Sequence, residues 1–180
     1  MATYRLLSVL LLAGALWAQS PKYKLGRAAT QAEIDAADIS IPPDGAGLPS
    51  GSGTPAQGLD VYKRRCEKCH GANGVGGDEA PLVGGKGSLA TPKPLKTVGS
   101  YWPHATTLFD YVRRAMPFNQ PGLLTNDQVY AVTAHILRLN GIIKDDEVMN
   151  AKTLPQVKMP NRDGFIADNR PDTGTKKGKK

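Results

Sequence analysis

The sequence predicts a small all-α domain over residues 58–141 with irregular extensions at both ends. Two observations lead there: apolar residues recur at steps of three and four in three separate segments, and the flanks are dense in Pro, Gly and polar residues. A third sets the scale. With 14 Pro, 20 Gly and only 6% aromatic residues in 180 positions, the chain is too dilute in core-forming side chains for one dense core along its whole length.

At the start, M-A-T-Y-R-L-L-S-V-L-L-L-A-G-A-L-W-A-Q-S places Arg5 before a mostly apolar run from Leu6 to Leu12, followed by small residues. This is the pattern of a secretory signal peptide over residues 1–18, with cleavage expected after Ala18 and the A-G-A ending at Ala15 as second choice. A retained membrane anchor needs about 20 apolar residues, and Gln19, Ser20 and Lys22 cut the stretch short. The mature chain is therefore expected outside the cytoplasm, in the periplasm.

Residues 19–57 read as a Pro/Gly-rich extension. Its second half, I-P-P-D-G-A-G-L-P-S-G-S-G-T-P-A-Q-G from Ile41, is expected to be a strap that buries almost nothing. A first helix is predicted from Leu59 to Arg65, with Leu59 and Tyr62 on one side and Lys63 and Arg64 in water. A second is predicted from Ala105 to Ala115, where Leu108, Tyr111, Val112 and Ala115 form the apolar stripe. It must stop near Met116, because Pro117 disfavours helical geometry in the residue before it. The third helix opens at the capping box of Thr125 and Gln128, carries Val129, Val132, Ile136 and Leu139, and stops at Gly141. Residues 142–180 show no sustained periodicity and end in K-K-G-K-K, so an irregular arm with a disordered basic tail is expected. No internal repeat is present.

The net charge of +7 comes from residues 58–141 (ten basic, six acidic) and 142–180 (nine and six), while the first 57 residues balance at four each. No aromatic residues are interleaved in a basic stripe, which argues against nucleic-acid binding. A basic face that steers docking onto an acidic protein partner fits better.

The only two cysteines lie in R-R-C-E-K-C-H-G as Cys66 and Cys69, with His70 directly behind them. A disulfide across two residues closes a very short loop, where crosslinking stabilises least. Structural zinc needs four ligands, but there is no second C-x-x-C, and His104 and His135 stand 31 residues apart. Iron–sulfur clusters need four thiolates. A thioredoxin-like pair follows a strand, whereas this one follows a helical segment. Covalent haem uses every feature present: both thiols add to the porphyrin vinyl groups, and His70 reaches the iron as its proximal ligand. A porphyrin also supplies the apolar core that so few aromatic residues cannot.

The sixth iron position separates electron transfer from catalysis. Met116, in the proline-rich R-A-M-P-F-N-Q-P-G loop, is the favoured ligand; Met159 is next, and Met149 is a further candidate. His104 or His135 would give a bis-histidine haem. Pro81 is expected to offer its carbonyl to the second nitrogen of His70, and Tyr101 and Trp102 to donate hydrogen bonds to the propionates or pack on the haem edge. A haem enzyme or gas sensor with an open sixth position is the alternative.

C-x-x-C-H-G, the later M-P-F loop and the final capped helix resemble a class I cytochrome c over about residues 58–141. Further stretches extend the likeness: L-G-R-A-A-T-Q-A-E-I, G-L-P-S-G-S-G, K-T-V-G-S-Y-W-P-H-A-T-T-L-F-D-Y-V-R-R-A-M-P-F and M-P-N-R-D-G-F. Together they resemble the cytochrome subunit of bacterial sulfur dehydrogenases and of related sulfite dehydrogenases. That resemblance implies one covalent haem c on Cys66 and Cys69, with His70 and Met116 as axial ligands. It also implies a molybdenum-containing catalytic subunit as electron donor and a soluble cytochrome as acceptor, with no bond made or broken on this chain. Some members of the family carry a second haem domain, whereas this chain has a single C-x-x-C-H. Both extensions, too polar to fold alone, are then expected to order against the catalytic partner.

Overall fold

Where the local signals are strongest, helices start and stop as the sequence requires. The computed structural model describes residue 23 and residues 25–168, so the expected signal peptide and the basic end of the tail lie outside the described residues. The chain divides into two units, Met1–Asp38 and Ile39–Lys180.

In the first unit, helix α1 (Gln31–Ala37) opens on a capping box: the Thr30 hydroxyl accepts from the Glu33 N–H and the Glu33 carboxylate accepts from the Thr30 N–H. Arg27 pairs with that carboxylate and, together with the cap, holds it down to a pKa of about 2. The T-Q-A-E capping signal lies in what the sequence reads as Pro/Gly-rich extension, and α1 buries none of its residues.

In the second unit, helix α2 spans Pro55–Arg65, four residues longer than its apolar spacing suggests. Thr54 and Gln57 form a capping box and Pro55 takes the first helical position, where its missing N–H costs nothing. Helix α3 (Glu67–His70) follows after Cys66. Helices α4 (Ala105–Ala115) and α5 (Asn126–Leu139) match the expected bounds, and Gly141 takes φ 66° just past the end of α5. On α4 the large apolar residues that are buried are Leu108, Phe109 and Val112, whereas Tyr111 stands outside the stripe, 46% exposed. The core gathers Val61 and Tyr62 of α2, Phe109 of α4, and Val129, Tyr130, Val132 and Leu137 of α5, with the Phe109 and Tyr130 rings 4.4 Å apart.

Helix α2 crosses α5 on small residues. A Cβ on Gly58 would lie 2.5 Å from the Ala131 carbonyl carbon and 2.7 Å from His135 Cβ, so only glycine permits this approach.

From Ile41 to Gly53 and from Met149 to Met159 the flanks pack on the domain itself, contrary to the expectation from polarity. The strap is tied down by hydrogen bonds more than by apolar burial. The Ile41 N–H donates to buried Asp110 (3.0 Å), the Ser52 N–H to Asp127 (2.8 Å), and the Tyr130 hydroxyl to the Pro49 carbonyl (2.9 Å). A two-residue strand β1 (Ser52–Gly53) pairs antiparallel with β2 (Met149–Asn150), Gly53 opposite Met149. The C-terminal arm packs Met149, Leu154, Val157 and Met159 into the core around a 3₁₀ turn at Leu154–Gln156. It is irregular in backbone but not loose. Replacing Asp110 with Ala strands the Ile41 N–H inside the protein, at an expected cost of about 1–3 kcal/mol. Hydrogen exchange should show faster exchange through residues 39–49, with the centre of α5 retaining its relative protection.

Candidate haem-binding site

The site begins where α2 ends. The Cys66 N–H still donates to Tyr62 (2.8 Å), and the Cys69 and His70 N–H groups both return to the Cys66 carbonyl (3.1 and 2.9 Å). This tight turn brings two thiols and an imidazole together within five residues. Cys66 is half-buried and packs against the core, Cys69 is exposed, and both thiols are free. Burial, with Cys69 adding to it, pushes the Cys66 thiol up to about 11. A redox-active dithiol needs the opposite shift, so the environment of Cys66 fits a thiol held for attachment better than a nucleophile.

His70 Nδ1 lies 3.1 Å from the Ala80 carbonyl. A carbonyl can only accept, so Nδ1 carries the proton, and in the neutral ring Nε2 is then the nitrogen with the lone pair for a metal. The acceptor is Ala80, not Pro81 as the sequence suggested. The loop is registered by the Glu79 N–H on the Cys69 carbonyl (2.9 Å) and the Leu82 N–H on the Gly74 carbonyl (2.8 Å). In that register the carbonyl preceding the Pro81 ring faces the imidazole. The Tyr62 hydroxyl pins the residue after His70, donating to the Gly71 carbonyl (2.8 Å). Gly71 itself adopts φ 78°, which the turn out of α3 requires.

Met116 caps the C-terminus of α4, half-buried against the core. Met149 and Met159 are consumed by packing, 2% and 4% exposed. Leu82, Trp102, Leu124 and Cys66 share the half-buried state of Met116, and Trp102 meets Tyr111 edge-on at 5.7 Å. Tyr101 packs edge-on to Phe165 at 5.2 Å, with Lys96 Nζ 5.1 Å above its ring. No described residue engages the Tyr101 hydroxyl or the Trp102 N–H. Two thiols, a lone-pair nitrogen, a thioether and apolar side chains left half-covered are the donor set and surroundings that a haem fits.

Neither remaining histidine is offered to that set in the same way. His104 sits at the N-cap of α4 without capping it, its Nδ1 buried and unpartnered among the described residues. His135 lies inside the α2–α5 crossing, 4% exposed, its ring 5.1 Å from that of Tyr62. Burial lowers its pKa, Arg138 adds to the effect, and a backbone hydrogen bond at Pro55 opposes it. The folded state therefore holds the ring neutral, while the unfolded chain takes up a proton near the ordinary value of 6.5. Stability is full above that pH and declines as pH falls below it, through the lowered folded value. His135→Phe keeps the ring stack and should flatten this acid-side slope in denaturant titrations.

Comparison with known proteins gives the family. Residues 53–136 match the family described as cytochrome c oxidase, cbb3-type, subunit III. Among solved structures, the sulfane dehydrogenase SoxCD from Paracoccus pantotrophus matches at 43% identity and TM-score 0.75. The match covers 86% of this chain and 76% of that one, well beyond the cytochrome segment alone. No curated protein matches. With the C-x-x-C-H turn and the helices around it, these likenesses establish that the chain belongs to the class I c-type cytochromes and resembles the cytochrome subunit of bacterial sulfur dehydrogenases.

Proposed function

We propose that this chain holds one haem through thioethers from Cys66 and Cys69, ligates its iron with His70 and Met116, and transfers single electrons. It does so as the accepting subunit of an exported molybdenum-dependent sulfur dehydrogenase. The observation that carries the reading is the His70 ring held on Ala80 with Nε2 uncommitted, directly behind two free thiols. Bound haem iron supplies a one-electron couple; the polypeptide orients the imidazole and covers one apolar side. Among the described residues, the donors of Tyr101 and Trp102 are uncommitted and are assigned to the propionates. The likeness to SoxCD favours sulfane sulfur over sulfite as the electron source. A soluble cytochrome is the expected onward acceptor. No helix among the described residues is long and apolar enough to cross a membrane.

Because the strap from Ile41 and the arm to Met159 fold on their own domain, the segment left for ordering on the catalytic subunit is the one around α1, which buries none of its residues. Limited proteolysis of the isolated chain should cut there first, and the catalytic subunit should protect it.

The test is reconstitution of the mature chain with the molybdenum subunit, supplying a sulfane-loaded carrier or sulfite and following haem reduction. The haem stoichiometry comes from the spectrum of the denatured protein in alkaline pyridine. Reduction by the sulfane donor, with one haem per chain, supports the reading. A haem that rapidly binds carbon monoxide at neutral pH and is not reduced in the complex contradicts it.

A further inference from the structure

We propose that Asn140 is the positioning residue for the axial histidine, setting the strength of the His70–Ala80 hydrogen bond and through it the reduction potential. The inference rests on the reading that His70 ligates the haem iron. Asn140 closes α5, seventy residues from His70, and its amide reaches back to the loop that holds the imidazole. Its Nδ2 donates to the Leu82 carbonyl (3.1 Å) and to the Ile136 carbonyl (2.9 Å), and its Oδ1 accepts from the Gly84 N–H (3.4 Å). The amide lies close against Gly99, where a Cβ would be 2.9 Å from Asn140 Cγ, so it has little room to rotate.

Transmission to His70 is short. Residues 79–84 are clamped at one end by the Glu79 N–H on Cys69 and at the other by Leu82, whose carbonyl takes the Asn140 amide and, at 3.3 Å, the Val98 N–H. Between Leu82 and the Ala80 carbonyl stands only Pro81. Its ring fixes φ, and the Leu82 N–H is held on the Gly74 carbonyl, so few backbone torsions are left to absorb a displacement at Leu82 before it reaches the Ala80 carbonyl. One Asn140 N–H thus ties Leu82, two residues after the acceptor of His70, to the end of α5, while the other is anchored on Ile136 within that helix. A weaker bond to Nδ1–H makes His70 a poorer donor, disfavours the ferric state and raises the potential.

Asn140→Asp is nearly isosteric but sets a carboxylate against two carbonyls; Asn140→Ser keeps one donor at shorter reach. Both are made in the full haem-bearing chain, and two quantities are read. One is the midpoint potential; the other is solvent exchange of the His70 Nδ1 proton in the reduced protein by NMR. The expected result is a positive potential shift and at least tenfold faster exchange, larger for Asp than for Ser, while exchange of amides in the centre of α5 follows only global stability. Lower stability with potential and Nδ1 exchange unmoved overturns the proposal, and the Ser variant gives that reading if the Asp variant does not mature. If the parent protein carries covalent haem whose spectrum survives His70→Ala, the ligand assignment itself fails, a result distinct from failure at Asn140.

Discussion

Met116→Ala should abolish the weak far-red sulfur-to-iron charge-transfer band of the oxidised protein and open the reduced haem to carbon monoxide. The potential should drop by a substantial fraction of the roughly 0.8 V that axial ligation spans, because a thioether favours the ferrous state and water or hydroxide does not. The fold should survive, since Met116 is half-buried at the end of α4 and outside the fully buried set formed by Phe109, Tyr130 and Leu137. An unchanged band and potential would make Met116 a packing residue and return the sixth position to the open-site alternative. Met149→Leu and Met159→Leu are the controls: both side chains are buried among apolar neighbours, and both substitutions should leave the spectrum intact.

The largest stability loss is expected from Gly58→Ala. On an exposed helix this change stabilises by about 1 kcal/mol, through propensity alone. Here the new methyl meets the Ala131 carbonyl and His135 Cβ, both held on α5, and neither is the free end of a flexible side chain. The helices must separate, loosening Tyr62 and its bond to Gly71 beside His70. Overpacking costs about 1–3 kcal/mol and occasionally more, and a methyl driven against backbone falls at the upper end, so the collision outweighs propensity and the sign reverses. Urea denaturation of the haem-bearing protein measures it, and a neutral or stabilising result would show that the crossing is looser than its geometry.

Much of the chemistry was legible because it is contiguous. C-x-x-C-H carries its meaning in five residues, and the bounds of α4 and α5 followed from Pro117 and the Thr125–Gln128 box, whose effects reach one turn. What escaped sequence reading depends on partners far along the chain. Ala80, and not Pro81, holds His70, because the register of that loop is decided by Cys69, Gly74 and Asn140. The strap looked unable to pack because composition registers apolar area, whereas Asp110, Asp127 and Tyr130 hold it through hydrogen bonds spanning 69 to 81 residues. Met149 and Met159, the other candidate ligands, are buried among apolar neighbours, and Tyr111 sat on the expected stripe but faces outward. The sequence by itself determined that two thiols and an imidazole share one short turn, since that depends on residue type and local spacing. Only the tertiary structure decided which carbonyl orients the imidazole and which thioether stays uncovered, since both depend on how distant segments pack.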